Sequence, residues 1–144
     1  MLTIRSYAPA DYENVVALWE ACELTRPWND PASDIEFCLG SENSILMVGV
    51  AGGESQIVAT AMVGHDGHRG WIYYVAVAPE LQEKGAGREM MAHAEAWLTQ
   101  RGVPKAMLMI RETNRKVIGF YERLGYAVEE RIVMARWLKK PPHA

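Results

Sequence analysis

Apolar residues along this chain recur at a spacing of two in some stretches and of three or four in others, and each change of period marks an element boundary. Residues 2–7 alternate as a strand does. Pro9 then opens a helix in which Tyr12, Val15, Val16, Trp19 and Cys22 recur at helical spacing. The stretch 26–31, Arg-Pro-Trp-Asn-Asp-Pro, breaks that helix, and residues 32–39 read as a second, shorter one. Residues 45–51 and 56–64 read as strands joined by a turn at Gly52 and Gly53. A further turn over 65–70 leads into an apolar strand over 71–78. Between 88 and 100, Met90, Met91, Ala94, Trp97 and Leu98 form one apolar helical face. Methionines at that spacing fill cores more often than they build cofactor sites. A strand over 105–110, a helix over 115–124 and a strand-like stretch over 126–138 complete the pattern. The predicted order is β-α-α-β-β-β-α-β-α-β, with the last strand open to being broken in two.

Two short segments carry chemistry. The first, Gln82-Glu83-Lys84-Gly85-Ala86-Gly87, turns a strand through glycines into a helix. The first amides of a helix lack internal partners, and the helix dipole adds positive charge there, so phosphate binds well at such a place. A Walker-type loop needs Lys and Ser/Thr after its last glycine, but Arg88 and Glu89 follow Gly87. A dinucleotide loop needs a third small residue, and Met90 stands there. The pattern that fits is Gln/Arg-x-x-Gly-x-Gly/Ala; the plain alternative is a glycine turn between strand and helix. In the second segment, Asn114 is followed seven residues on by Tyr121-Glu122-Arg123-Leu124-Gly125-Tyr126. Seven residues is about two helical turns, so Asn114, a good N-cap, and Tyr121 share a face. Gly125 suits a left-handed C-cap. Alone, Asn114 reads equally as an ordinary cap and Tyr121 as an ordinary core aromatic.

Both segments, in this order and context, resemble the signatures of the GNAT N-acetyltransferases, and the resemblance covers nearly the whole chain. It implies an α/β (α+β) acetyltransferase fold: a mixed, mostly antiparallel sheet of six to seven strands, with about four helices on its two faces and a splayed central parallel pair. It also implies acetyl-coenzyme A as co-substrate. The backbone of Val75, Ala76 and Val77 would pair with the pantetheine arm, and an amide there would polarise the thioester carbonyl. Gln82, Glu83, Lys84, Gly85, Ala86, Gly87 and Arg88 would hold the pyrophosphate, and Asn114 the cofactor or the loop around it. Tyr121 would be the general acid that protonates the departing thiolate. Relatives often carry a Glu on the central strand, yet residues 71–77 contain no carboxylate. Glu112, Asp66, His65, His68 or a water chain remain as candidate bases, and Glu112 is closest to the cleft by sequence. An exposed carboxylate near a helix N-terminus is the better explanation of Glu112 taken by itself. Trp28, Asn29, Asp30 and Asp66 are candidates for the acceptor site, and each also suits a turn or packing role. His65 and His68 have a known ligand spacing, but no third strong ligand follows nearby, so no metal is expected.

Composition narrows the classes. A chain of 144 residues is one domain by length, here residues 1–138 with a flexible tail at 139–144. Net charge is −3, so no basic footprint points to nucleic acid. Apolar runs are too short for a bilayer, and the N-terminus has no signal-peptide core. Cys22 and Cys38 lack metal-ligand spacing and read as reduced thiols in the cytoplasm. The expected function is acetyl transfer to a primary amine, on a small molecule or a protein, by a monomer or homodimer. A non-catalytic acyl-coenzyme A sensor is the other class, compatible with the missing strand carboxylate.

Overall fold

The structure is a computed structural model describing residues 1–51 and 56–141. Five strands form one sheet in the order β1-β2-β3-β4-β5: Leu2–Ser6, Ser44–Ala51, Ile57–His65, Gly70–Val77 and Ala106–Met107. The first four run antiparallel to their neighbours, and β5 is parallel to β4. Four helices complete it: α1 (Tyr12–Ala21), α2 (Pro31–Leu39), α3 (Ala86–Gln100) and α4 (Arg115–Arg123). A short 3-10 turn at Pro9–Asp11 precedes α1, with the Pro fixing its entry. Among the described residues no helix is long and apolar enough to cross a membrane.

Strands β2 and β3 have no exposed residue, and the middle of β2 and most of β3 are buried, because helices cover both faces of the sheet. On one face Val15, Leu18 and Trp19 of α1 and Ile35 and Cys38 of α2 pack on Leu46, Val48 and Val58. On the other, Met90, Met91, Ala94, Trp97 and Leu98 of α3 meet Ala59, Ala61, Val63 and Ile72, joined by Tyr121 of α4. The methionine face is therefore core. Gly70 shows how closely α3 lies on the sheet: a Cβ there would sit 2.6 Å from Leu98 Cδ1.

Two expectations are corrected. The sheet has five strands among the described residues, because residues 126–138 join no ladder. Their apolar pattern encodes strand propensity, but a strand forms only against a partner edge. The strand expected over 105–110 shortens to Ala106–Met107, since β5 pairs with β4 only at Gly70 and Trp71 before the two diverge. The turn expected at Gly52 and Gly53 lies outside the described residues, as does half of the expected tail, residues 142–144.

Candidate active site

Strand β4 carries the irregularity that shapes the cleft. Thr60 faces Ala76 and Met62 faces Tyr73, so one residue of β3, Ala61, stands opposite both Tyr74 and Val75. This is a β-bulge. Tyr74 takes φ +51° there, a left-handed conformation that costs a non-glycine residue about 1–2 kcal/mol. Three contacts hold it, and a fourth braces one of them. Its ring stacks on Trp19 with centroids 3.8 Å apart. Its hydroxyl donates to Asp34 Oδ2 at 2.7 Å. Its carbonyl accepts from Thr60 Oγ1 at 2.8 Å, and Thr60 in turn accepts from Trp19 Nε1 at 2.9 Å. Burial, then the Asp34 carboxylate, pushes the Tyr74 phenol well above its usual range.

Beyond Trp71 the cleft-side edge of β4 has no strand partner among the described residues. Ala78 N–H donates to Val58 O at 2.8 Å while Val77 faces Ala59. That makes Val77 a non-hydrogen-bonded position, so its own N–H and C=O turn away from β3. The carbonyl is already engaged, accepting from Cys22 Sγ at 3.2 Å and Gln82 Nε2 at 3.1 Å. Its N–H is left for the cleft. Burial raises the Cys22 thiol above its ordinary range, which keeps that donor proton in place.

The glycine segment sits where β4 ends. Gly85 takes φ +92° and caps α3, and a Cβ there would meet nothing within 4 Å. Glu89 N–H makes the first internal helical bond, to Gly85 O at 3.1 Å. The amides of Ala86, Gly87 and Arg88 before it are the unpaired first-turn donors of a 15-residue helix. Glu83, at φ +64°, and the exposed side chains of Lys84 and Arg88 border this point. These residues fit a pyrophosphate. Gly87 is constrained from the other side, since a Cβ there would lie 3.0 Å from Phe120 Cζ and 3.7 Å from Val77 Cγ2. Strand β4, α3 and α4 therefore converge on one glycine.

Phe120 brings Tyr121 with it, the two rings meeting edge to face at 4.9 Å. The Tyr121 ring is buried, and burial pushes its phenol up to about 12. Its hydroxyl makes no hydrogen bond among the described residues, yet no fully enclosed side-chain oxygen there lacks a partner. The hydroxyl therefore reaches accessible space. It holds its proton at neutral pH and has no acceptor among the described residues. Asn114 caps α4, its Oδ1 accepting from Val117 N–H at 3.4 Å. Glu112 lies exposed in the turn before it.

The acceptor candidates are not all brought together. Asn29 and Asp30 line a cavity of about 540 Å³ beside α1, with Tyr12, Glu20 and Arg26. Asp30 also caps α2, accepting from Ser33 N–H at 3.3 Å and Ser33 Oγ at 2.7 Å. Trp28 is 42 % exposed nearby in sequence. Asp66 is elsewhere, at the opposite end of β4 from the glycine segment. It closes its own turn, accepting from the amides of His68 and Arg69 at 2.9 and 2.7 Å and from Trp71 Nε1 at 3.3 Å. Those donors hold its carboxyl below the usual range.

The model of the acetyltransferase (GNAT) family matches residues 13–126. The chain belongs to that family. This acetyltransferase is 40 % identical over 137 residues to an acetyltransferase of Yersinia enterocolitica, covering 95 % of this chain and 96 % of that one. It is 42 % identical, with the same coverage, to an acetyltransferase of Pectobacterium atrosepticum. In fold it resembles AAC(6')-Iy, solved with the bisubstrate analog CoA-S-monomethyl-acetylneamine, at a TM-score of 0.80 and 16 % identity over 95 % of this chain and 98 % of that one. Sequence reasoning missed the group around the bulge of the acetyltransferase: Trp19, Asp34, Thr60 and Tyr74. One signal was present. Thr60 is the single hydroxyl in the apolar run Ile57 to Val63, and a buried hydroxyl needs a partner.

Proposed function

We propose that this acetyltransferase moves an acetyl group from acetyl-coenzyme A to a primary amine by direct attack within a ternary complex. The observation that carries this reading is the convergence of β4, α3 and α4 at Gly87, which sets first-turn amides beside a strand edge and a protonated Tyr121 hydroxyl, both without a partner among the described residues. Pyrophosphate would rest on the amides of residues 83–88, with Lys84 or Arg88 adding charge. The pantetheine arm would run along Val75, Ala76 and Val77, where one amide would polarise the thioester carbonyl. A neutral amine attacks that carbonyl, and holding the two reactants together supplies much of the rate. Tyr121 then delivers its proton to the thiolate. The amine arrives protonated, and with no carboxylate on β4 its proton leaves through water or through Glu112. Asn29 and Asp30 offer the acceptor a polar approach from the α1 side, where Glu20 adds a second carboxylate. A cationic amine suits that lining.

Calorimetric titration with acetyl-coenzyme A, with ATP and NADH as controls, tests the cofactor site. A screen of small amines and peptide N-termini for thiol release then tests transfer. Selective binding with thiol release supports the reading. Binding without release from any amine favours a non-catalytic acyl-coenzyme A sensor, and equal binding of all three nucleotides removes the cofactor assignment.

A further inference from the structure

Strand β4 carries an aromatic surface that the helices leave uncovered. Ile72 packs on the α3 side of the sheet, so Trp71 and Tyr73 point to the other face. There α1 and α2 reach only as far as Tyr74, whose ring lies on Trp19 and whose hydroxyl meets Asp34. Tyr73 is left 44 % exposed, and the Trp71 and Tyr73 rings stand nearly parallel with centroids 6.5 Å apart. The next strand extends the surface. Met107 pairs with Trp71 in the parallel register, while Ala106, Leu108 and Ile110 pack on the α3 side, so Met107 and Met109 face the same way as the two rings. Met109 is 52 % exposed.

One end of this surface carries a fixed negative charge. Asp66 Oδ2 accepts from Trp71 Nε1, and Oδ1 accepts from the amides of His68 and Arg69. These donors favour the ionised carboxyl, which forms no ion pair among the described residues. The cations nearest in sequence are engaged elsewhere. Arg69 donates to His68 O at 3.0 Å, and Arg69 and Lys105 both lie toward Glu129. The Tyr73 phenol, raised first by burial and then by the Asp66 charge, lies within that field. Electron-rich rings beside an uncompensated carboxylate attract a cation.

The other end of the surface is the bulge at Tyr74, next to the Val75 amide. From Val75 back to Trp71 is four residues, about 10–13 Å along the strand once the bulge is allowed for. We propose that Trp71, Tyr73 and Asp66 form a subsite for a second cation of the acceptor, so that the substrate is a linear diamine or polyamine. Its reacting nitrogen loses a proton and takes the acetyl group at the bulge. Its stem lies on Tyr73, Met107 and Met109. Its distal nitrogen keeps its proton and rests over Trp71 against Asp66. The inference rests on the amine-acetylation reading above and narrows the acceptor from any primary amine to one with a second charge at the far end.

Thiol release from acetyl-coenzyme A, measured with a series of linear diamines from diaminobutane to diaminodecane and with the n-alkylamine of each length, tests it. Once the chain spans the gap, kcat/KM for the diamine is expected to exceed that of its matched monoamine by about tenfold or more, through KM, and the shorter diamines lose the advantage. Asp66→Asn keeps the acceptor oxygen that the turn uses and removes the charge; Trp71→Leu keeps apolar bulk and removes the ring. Each is expected to bring the diamine-to-monoamine ratio close to one. The ratio is read within one sample, so a reduced folded fraction leaves it unaltered, and the wild-type ratio stands without either variant. A wild-type ratio near one overturns the inference and leaves acetyl transfer standing. A ratio unchanged in either variant also overturns it, because the second cation is then held elsewhere. No release from any amine removes the transfer reading, and this inference with it.

Discussion

Tyr74 and Tyr121 pack on opposite faces of the sheet, both with phenols raised by burial, and they differ in what the hydroxyl meets. Tyr74 donates a hydrogen bond to Asp34 and presses its ring on Trp19, so its hydroxyl is committed to holding a strained backbone. Tyr121 packs its ring against Phe120 and Tyr126 and leaves its hydroxyl without a protein partner among the described residues. The same side chain is thus a strut on the strand side and an available proton donor on the helix side. A raised phenol alone does not distinguish the two roles. The hydrogen-bond partner does.

The difference breaks most visibly in turnover. Tyr121→Phe is expected to lower turnover by about 10²–10⁴, the usual worth of a general acid, with acetyl-coenzyme A affinity unchanged. Steady-state thiol release alongside calorimetry measures both, and wild-type turnover would take Tyr121 out of the mechanism. Trp19→Ala probes the strut instead. Trp19 is fully buried, and its loss should cost about 3–5 kcal/mol in a urea titration. Tyr74→Phe removes only the bond to Asp34. It should cost about 1–2 kcal/mol of stability and less than about tenfold in turnover. If Tyr74→Phe harmed turnover more than Tyr121→Phe, the two roles would have to be exchanged. Gly85→Ala forces a left-handed alanine at φ +92°. It should cost about 1 kcal/mol of stability and weaken acetyl-coenzyme A binding without touching either tyrosine.

Proton linkage sharpens the same contrast. The folded Tyr121 phenol titrates near about 12, above its unfolded value of about 10. The folded state therefore binds this proton more tightly. Its stabilising contribution is complete below pH about 10 and is lost as pH rises through about 12. In the rate profile, Tyr121 stays protonated throughout the ascent as the acceptor amine loses its proton. A descending limb assigned to Tyr121 is expected only near pH 12; one near neutrality that vanished in Tyr121→Phe would contradict this placement of its proton.

Much of this was legible in the sequence, for local reasons. The turn from Gln82 to Gly87 announces itself through residue types that a left-handed cap and an open amide face require. Asn114 and Tyr121 are tied by helical spacing, and α4 begins and ends within a residue of its expected bounds. The strut was not legible, because Trp19, Thr60 and Tyr74 meet across separations of 41 and 14 residues, and Asp34 reaches Tyr74 across 40. No period encodes such distances. Acceptor residues were equally hidden: Asp30 and Asp66 look alike in a sequence, but one caps α2 beside a cavity and the other closes a turn at the far end of β4. The final segment failed differently. Its pattern carries strand propensity, but residues 126–138 join no ladder among the described residues, and propensity does not supply a partner edge.

The contact between Gly87 and Phe120 couples the two signatures mechanically. A methyl group at position 87 would meet the tip of the ring at 120 at 3.0 Å, so the ring would have to give by a few tenths of an ångström. That displacement is passed to the neighbouring Tyr121, so substitutions at 87 and 120 are expected to be non-additive in their effect on stability.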